Sequence, residues 1–133
     1  MKSKICTTIE QSQKLIELGI DRNTADMCWQ NNEFPIGFND DDAIPAWSLA
    51  ALMDMLPSKF IEKGKYSETT YSIHIRKYAL TEDVDLYQIA YGNYKFYEDG
   101  NSSWKDMINT GQKEELIDAA FEMICWLKEN NEL

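Results

Sequence analysis

The stretch TYSIHIRKYALTEDVDLYQIAYGNYKFY, residues 70–97, decides the fold class because its apolar side chains recur at every second position. Residues 71–76 alternate between apolar and polar side chains, which predicts a strand with one buried face. Residues 86–97 predict a second strand, whose apolar positions change parity part of the way along. A bulge at Gly92 and Asn93 would restore the register. The acidic connection between the two strands suits a hairpin loop.

A capping box predicts the start of a helix near the amino terminus. The hydroxyl of Thr7 can accept a hydrogen bond from a free amide of the first turn, and Glu10 follows three residues later, as this motif requires. Apolar residues then keep helical spacing up to Gly19, which suits the left-handed residue that ends many helices. We expect a helix over residues 8–18.

Two further helices are predicted, one on each side of the strands. Pro45 suits the first position of the second helix, Ser48 is an alternative cap, and Pro57 ends the helix. The apolar positions of this helix form one stripe: Leu49, Leu52, Met53 and Leu56. A last helix is expected over about residues 113–130, with a stripe of Leu116, Ala120, Met123 and Leu127.

Two strands alone are not stable in water, so the helices must cover one face of the sheet. The predicted fold is therefore α+β, a single small domain over residues 1–133. Its order is helix, helix, β-hairpin, helix, with the helices packed on one face of a short antiparallel sheet.

The net charge of −10 limits the classes of partner. Residues 66–133 carry six basic and thirteen acidic side chains, and a surface of this kind repels phosphate backbones and anionic lipid. No apolar run approaches the roughly 20 residues that span a bilayer. Three cysteines without a C-x-x-C spacing favour free thiols in a reducing cytoplasm. We therefore expect a cytoplasmic protein that binds neither nucleic acid nor membrane.

Asp40, Asp41 and Asp42 raise the question of a metal site. A calcium loop needs oxygen ligands at alternate positions, a central glycine and a closing glutamate. Here the acids are adjacent and Pro45 follows them. We interpret the aspartates as the acidic entry to the second helix, where the helix dipole favours negative charge, and predict neither a metal nor a cofactor.

His74 is the only histidine, and its parity places it on the polar face of the first predicted strand. Catalysis would require a nucleophile beside it, and no local motif links His74 to Cys28 or Cys125. No glycine-rich phosphate loop is present. The sequence therefore favours a protein without enzymatic activity. A small-molecule binder or enzyme using the loop 21–47 and the sheet face bearing His74 remains an alternative.

Four aromatic residues lie in or beside the turn-rich region 21–47: Trp29, Phe34, Phe38 and Trp47. They either pack on the core as a satellite cluster or form a recognition surface. In the same region KLIELGIDRNTADMCW has the outline of a helix-turn-helix, with a second helix over residues 24–29. A DNA-associated protein is a further alternative on the basis of this outline. The expected second helix, however, offers few side chains suited to base edges.

The segments TTIEQSQKLIELGID, IPAWSLAALMDMLP and DAAFEMICWLKENN together resemble a family of small uncharacterised proteins from gut Bacteroidetes and their phages or mobile elements. The likeness covers the two helical ends, about half of the chain. It implies a cytoplasmic accessory protein and brings no activity or functional residues with it.

The leading hypothesis from the sequence is a non-enzymatic protein-interaction or regulatory module with an acidic surface. Its partner would be another protein, with a basic surface, and the chain itself would be a monomer or a homodimer. The candidate partner-binding residues are Trp29, Phe34, Phe38, Trp47, Asp40, Asp41 and Asp42.

Overall fold

The computed structural model describes residues 4–37 and 40–133. The chain is a small α+β domain with three α-helices and two antiparallel sheets. The helices are α1 (Ile9–Glu17), α2 (Leu49–Met55) and α3 (Leu116–Glu129). The strands are β1 (Met27–Gln30), β2 (Phe34–Ile36), β3 (Ile44–Ala46), β4 (Lys59–Lys63), β5 (Glu68–Ala79), β6 (Asp85–Phe96) and β7 (Ser102–Asn109). A single 3-10 turn, Arg22–Thr24, precedes β1.

The two sheets differ in size and in how the chain builds them. The smaller sheet has the order β2-β1-β3, and the larger sheet is a four-stranded meander in the order β4-β5-β6-β7. In the larger sheet β5 and β6 pair over eight residue pairs, from Ser72 opposite Gly92 to Ala79 opposite Asp85. Because sequential strands pair as neighbours throughout this sheet, hairpins alone are enough to connect it.

The helices bury one face of the larger sheet. Ile89 and Tyr91 of β6 are fully buried and pack with Met123, Ile124 and Leu127 of α3 in one hydrophobic cluster. The same cluster takes in Leu15 of α1, Trp47 and Leu52. Its members therefore come from both halves of the chain.

Aromatic packing fixes the end of the core near β4. The ring of Phe60 lies 5.3 Å from that of Tyr71, 5.2 Å from that of Tyr91 and 6.2 Å from that of Trp126. The hydroxyl of Tyr91 donates to the carbonyl oxygen of Pro57 at 2.6 Å. Since the buried phenol has a partner, its polar end adds little desolvation cost.

The most periodic parts of the sequence were predicted correctly. The three helices are confirmed with small changes at their ends, and the two strands of the predicted hairpin are β5 and β6. The bulge predicted at Gly92 and Asn93 of β6 was wrong, because both residues pair with β7. The register with β7 does shift between Tyr91 and Gly92, but the residue left unpaired there is Met107 of β7.

Several details of the helix prediction were wrong. The capping box of α1 is formed by Thr8 and Gln11, one residue beyond the predicted pair. Pro45 lies in β3 and does not begin the second helix, and Ser48 is the N-cap of α2. The short helix expected over residues 24–29 is replaced by a 3-10 turn and β1. The second helix of a helix-turn-helix is therefore not formed there.

The predicted sheet was also too small. Strands β4 and β7 extend the hairpin to four strands, and β1, β2 and β3 form a second sheet from the region that was expected to be a loop. The expected order of helix, helix, hairpin and helix is therefore incomplete.

Candidate functional site

The larger sheet has a second face, directed away from the helical core, which we call the open face. Side chains alternate between faces along a strand. In each strand, the residues next in sequence to those that face the helices therefore point away from the core. His74 and Arg76 of β5 belong to the open face, as do Tyr94 of β6 and Trp104 and Asp106 of β7. We call these five residues the open-face cluster.

The middle of the open face is held by stacked rings. The ring of Trp104 lies parallel to that of His74, with centroids 3.5 Å apart and an angle of 6° between the planes. Tyr94 meets Trp104 edge to face at 5.2 Å. These rings come from three neighbouring strands, so the contact ties β5, β6 and β7 together across the sheet.

Two small residues of β6 make room for this arrangement. Gly92 lies beneath the Trp104 ring, since a Cβ added there would be 2.9 Å from the Trp104 Cζ2 atom. Ala90 pairs with His74 on one side and Asn109 on the other, yet it is completely buried. The larger side chains of β5 and β7 therefore cover the central strand.

Asp106 is the polar centre of the cluster. Its carboxylate accepts hydrogen bonds from Arg76 Nη1 at 2.8 Å, from Trp104 Nε1 at 2.6 Å and from Asn109 Nδ2 at 3.2 Å. Arg76 Nη1 also donates to Gln88 at 3.0 Å. The hydrogen bonds from Arg76 hold the pKa of Asp106 far below its usual range, with smaller contributions from Trp104 and Asn109. Asp106 thus remains a carboxylate and cannot serve as a general acid near neutral pH.

Aromatic rings continue the open face toward solvent beyond this polar centre. Phe96 is 82% exposed and Tyr94 is 55% exposed. Exposed rings mounted on a paired strand offer contact area with little conformational freedom to lose on binding. The arrangement is suited to stacking, to apolar contact and to binding cations over ring faces.

The aromatic residues predicted as anchors do not form one surface. Trp47 is fully buried, and its Nε1 donates to Thr24 Oγ1 at 2.9 Å. Trp29 is half-buried in β1, with Nε1 donating to the Thr7 carbonyl oxygen at 3.1 Å. Phe34 is 50% exposed in β2, and Phe38 lies outside the described residues. The core-packing interpretation therefore holds for Trp47, and Phe34 is an exposed ring on the other sheet.

The three aspartates precede a strand, so their predicted position at the entry to a helix was wrong. The Asp42 amide donates to Asp40 Oδ1 at 3.0 Å, which closes a local turn before β3. Asp40 and Asp42 line a cleft of about 320 Å³ together with Trp29. Within residues 4–37 and 40–133, no three His, Cys, Asp or Glu side chains lie close enough together to hold a metal ion.

The cysteines are poorly suited to nucleophilic chemistry. Cys28 is completely buried. Burial raises the pKa of Cys125 to about 11, and Glu129 adds to this rise. A thiol in this state is protonated at neutral pH, and the thiolate is the reactive form.

Sequence reasoning placed His74 on the polar face of its strand but missed its partners. Trp104 and Asp106 lie in β7, a segment for which the sequence predicted no strand. The alternation of Trp104, Asp106 and the residues between them was the available signal, and the irregular pairing beside Met107 obscures it.

Comparisons of the chain with protein-family models, curated proteins and solved structures found no match. No helix in the described part of the chain has the length and apolar character needed to cross a membrane.

Proposed function

We propose that this chain is a non-enzymatic interaction module that binds a protein partner through the open face of the larger sheet. One observation carries the proposal: the aromatic rings of the open face are exposed at Tyr94 and Phe96 while their neighbours are locked by stacking and hydrogen bonds. Partner-binding hot spots are enriched in aromatic side chains held in this way.

The charge distribution favours a protein with basic and apolar side chains. Residues 59–109, which contain the larger sheet, carry seven basic and eight acidic side chains. The rest of the chain carries six basic and fifteen acidic side chains. The acidic remainder would attract a basic partner at long range, and the nearly neutral sheet would then dock against it. Arginine or lysine side chains would lie over the exposed rings.

The same charges count against single-stranded nucleic acid, which also stacks on exposed rings of sheets. Such proteins add a positive groove that follows the phosphate backbone. Here the only arginine of the open-face cluster is already bound to Asp106. A cytoplasmic location is part of the proposal, because the three free cysteines suit a reducing compartment.

The test compares two double variants that remove exposed aromatic side chains. Tyr94→Ser with Phe96→Ser alters the open face, and Phe34→Ser with Tyr66→Ser removes two exposed rings outside the open face, one in β2 and one between β4 and β5, as a control. The partner is captured with the wild-type chain, identified by mass spectrometry and purified, and its affinity is measured by calorimetry. We expect the first pair to weaken binding at least tenfold and the control to change it less than threefold.

Two outcomes would contradict the proposal. One is equal affinity of the two double variants for the partner. The other is binding of a single-stranded oligonucleotide that depends on Tyr94 and Phe96 and persists at 150 mM salt.

A further inference from the structure

Strand β7 forms one edge of the larger sheet. In the part of the chain that the structure describes, β7 pairs with β6 alone. The opposite edge strand, β4, has charged side chains at three of its five positions, Lys59, Glu62 and Lys63. Charges of this kind protect an edge against pairing with another chain. In β7 the carboxylate of Asp106 is already used within the sheet, which leaves Lys105 as the only other charge of an eight-residue strand.

A cleft of about 260 Å³ lies between the end of β7 and α3. Ile108, Met123 and Trp126 give it an apolar lining, and Glu122 and Glu129 of α3 also line it. These two glutamates are seven residues apart on the helix, which corresponds to about 10 Å. An extended chain covers this distance with about three residues. The cleft therefore matches a short piece of a strand added beside β7.

The two glutamates favour a cationic side chain in this cleft. Glu122 pairs with Lys113 at 2.8 Å and Glu129 with Lys14 at 3.7 Å. All four side chains are well exposed, and such pairs contribute about 0–1 kcal/mol each. A positive side chain from a partner can therefore replace either lysine at small cost. Both glutamates also raise the pKa of Cys125 between them, after the effect of burial, as expected for a region of negative potential.

We propose that β7 and this cleft bind an extended segment of a partner protein by strand addition. The backbone of the segment pairs with the free edge of β7. Its side chains of one parity enter the cleft, an apolar one against Met123 and Trp126 and arginine or lysine toward Glu122 and Glu129. This mode of peptide recognition takes affinity from the main chain and specificity from alternate side chains. The site goes beyond the proposed function, because it uses the strand edge and the cleft and not the exposed rings.

The test uses a defined peptide as the probe. It has seven residues, with threonine at odd positions, arginine at positions 2 and 6, leucine at position 4 and a fluorescent label. We expect saturable binding by fluorescence anisotropy, and at least tenfold weaker binding when glutamate replaces both arginines.

Backbone methylation tests the pairing itself. In an added strand the amides of one parity face β7 and those of the other parity face solvent. We therefore expect one peptide, methylated at the amides of one parity, to lose at least tenfold in affinity. The peptide methylated at the other parity should bind nearly as well as the parent.

Matched charge variants locate the site. Glu122→Lys with Glu129→Lys changes the net charge from −10 to −6, and so does Glu82→Lys with Asp83→Lys in the β5–β6 hairpin. We expect the first pair to weaken the peptide at least tenfold and the second less than threefold. Should the first pair lower the melting temperature, Glu122→Gln with Glu129→Gln replaces it. Chemical shifts should change along β7 and α3.

Several results would overturn the inference. These are no binding at 1 mM peptide, equal effects of the two methylated peptides, or equal effects of the two charge variants. Sedimentation showing a dimer that the peptide cannot compete with would assign the β7 edge to a second copy of the chain. Tyr94→Ser with Phe96→Ser should leave peptide affinity unchanged, so this site and the proposed open-face function can fail separately.

Discussion

Gly92 is the residue on which the stacking of the open face depends. A Cβ added there would lie 2.2 Å from the Lys105 carbonyl oxygen and 2.9 Å from the Trp104 ring. The carbonyl belongs to a paired strand and cannot move freely. We expect Gly92→Ala to lower the free energy of unfolding by about 1–3 kcal/mol, as overpacking does in well-packed sites. Urea denaturation measures the change.

Gly37→Ala is the matched control for this substitution. Apart from Gly37 and its chain neighbours, no atom of residues 4–37 and 40–133 lies within 4 Å of a Cβ added at Gly37. We expect a change of less than about 0.5 kcal/mol there, typical of an unconstrained surface site. Because alanine is normally better than glycine inside a strand, a stabilising effect of Gly92→Ala would show that Trp104 and Lys105 do not crowd this position.

The protonation of Asp106 makes the stability of the folded chain depend on pH. Its pKa in the folded chain lies well below the value of about 3.9 of an unfolded aspartate. The carboxylate therefore contributes stability that is fully present above about pH 4 and is lost as the pH falls toward its folded pKa. We expect Asp106→Asn to cost about 1–3 kcal/mol at pH 7. It should also flatten the fall in the free energy of unfolding below pH 4, as measured by urea titrations at several pH values.

Glu98→Gln provides the comparison for Asp106→Asn. Glu98 is an exposed carboxylate in the turn between β6 and β7, and its substitution should change stability by less than about 0.5 kcal/mol. If Asp106→Asn and Glu98→Gln gave the same acid dependence, the hydrogen bonds from Arg76 and Trp104 would not stabilise the carboxylate.

At the scale of elements, α1 begins with a side-chain N-cap hydrogen bond and α3 begins without one. The Thr8 hydroxyl accepts from the Gln11 amide at 3.1 Å, while Glu115 at the N-cap of α3 makes no side-chain cap hydrogen bond. We expect Thr8→Ala to lower the free energy of unfolding by about 1 kcal/mol and Glu115→Ser to raise it by about 0.5–1 kcal/mol. Thermal unfolding followed by circular dichroism measures both. Thr8→Ser should retain the cap, and equal stability of Thr8→Ala and Thr8→Ser would contradict the role of the hydroxyl.

The elements that the sequence predicted are those whose side chains repeat over many residues. Strands β5 and β6 are 12 residues long, and α3 is 14 residues long. Strands β1 and β3, with four and three residues, are too short to establish a period. They form because each pairs with a segment elsewhere in the chain, as Cys28 does with Pro45, and such pairing leaves no local signal.

The candidate site was predictable only in part for the same reason. The alternation of β5 placed His74 on the polar face, which is correct. Its contact with Trp104 joins residues 30 positions apart through β6, so it depends on the whole sheet. The acidic composition likewise indicated a protein partner without indicating which face carries the acids.

At the scale of the whole molecule, the acidic side chains gather outside the larger sheet. Asp40 and Asp42 line one cleft at the smaller sheet, and Glu33 lies in the adjoining turn between β1 and β2. Carboxylates gathered at one end of the molecule repel one another and lower stability at low salt. The repulsion should therefore be strongest at this end of the molecule and weak along the nearly neutral larger sheet.

Reversing the charge of two acidic side chains, either beside the smaller sheet or in the β5–β6 hairpin of the larger sheet, tests this distribution. Glu33→Lys with Asp41→Lys and Glu82→Lys with Asp83→Lys both bring the net charge from −10 to −6. We expect the first pair to raise the free energy of unfolding by about 0.5–1 kcal/mol at 10 mM salt, or roughly 2–4 °C in melting temperature, because each lysine meets remaining carboxylates. The gain should shrink at 500 mM salt, where the Debye length falls below about 5 Å. The second pair should change stability less at either salt concentration. Equal gains from both pairs would mean that total charge matters and its location does not.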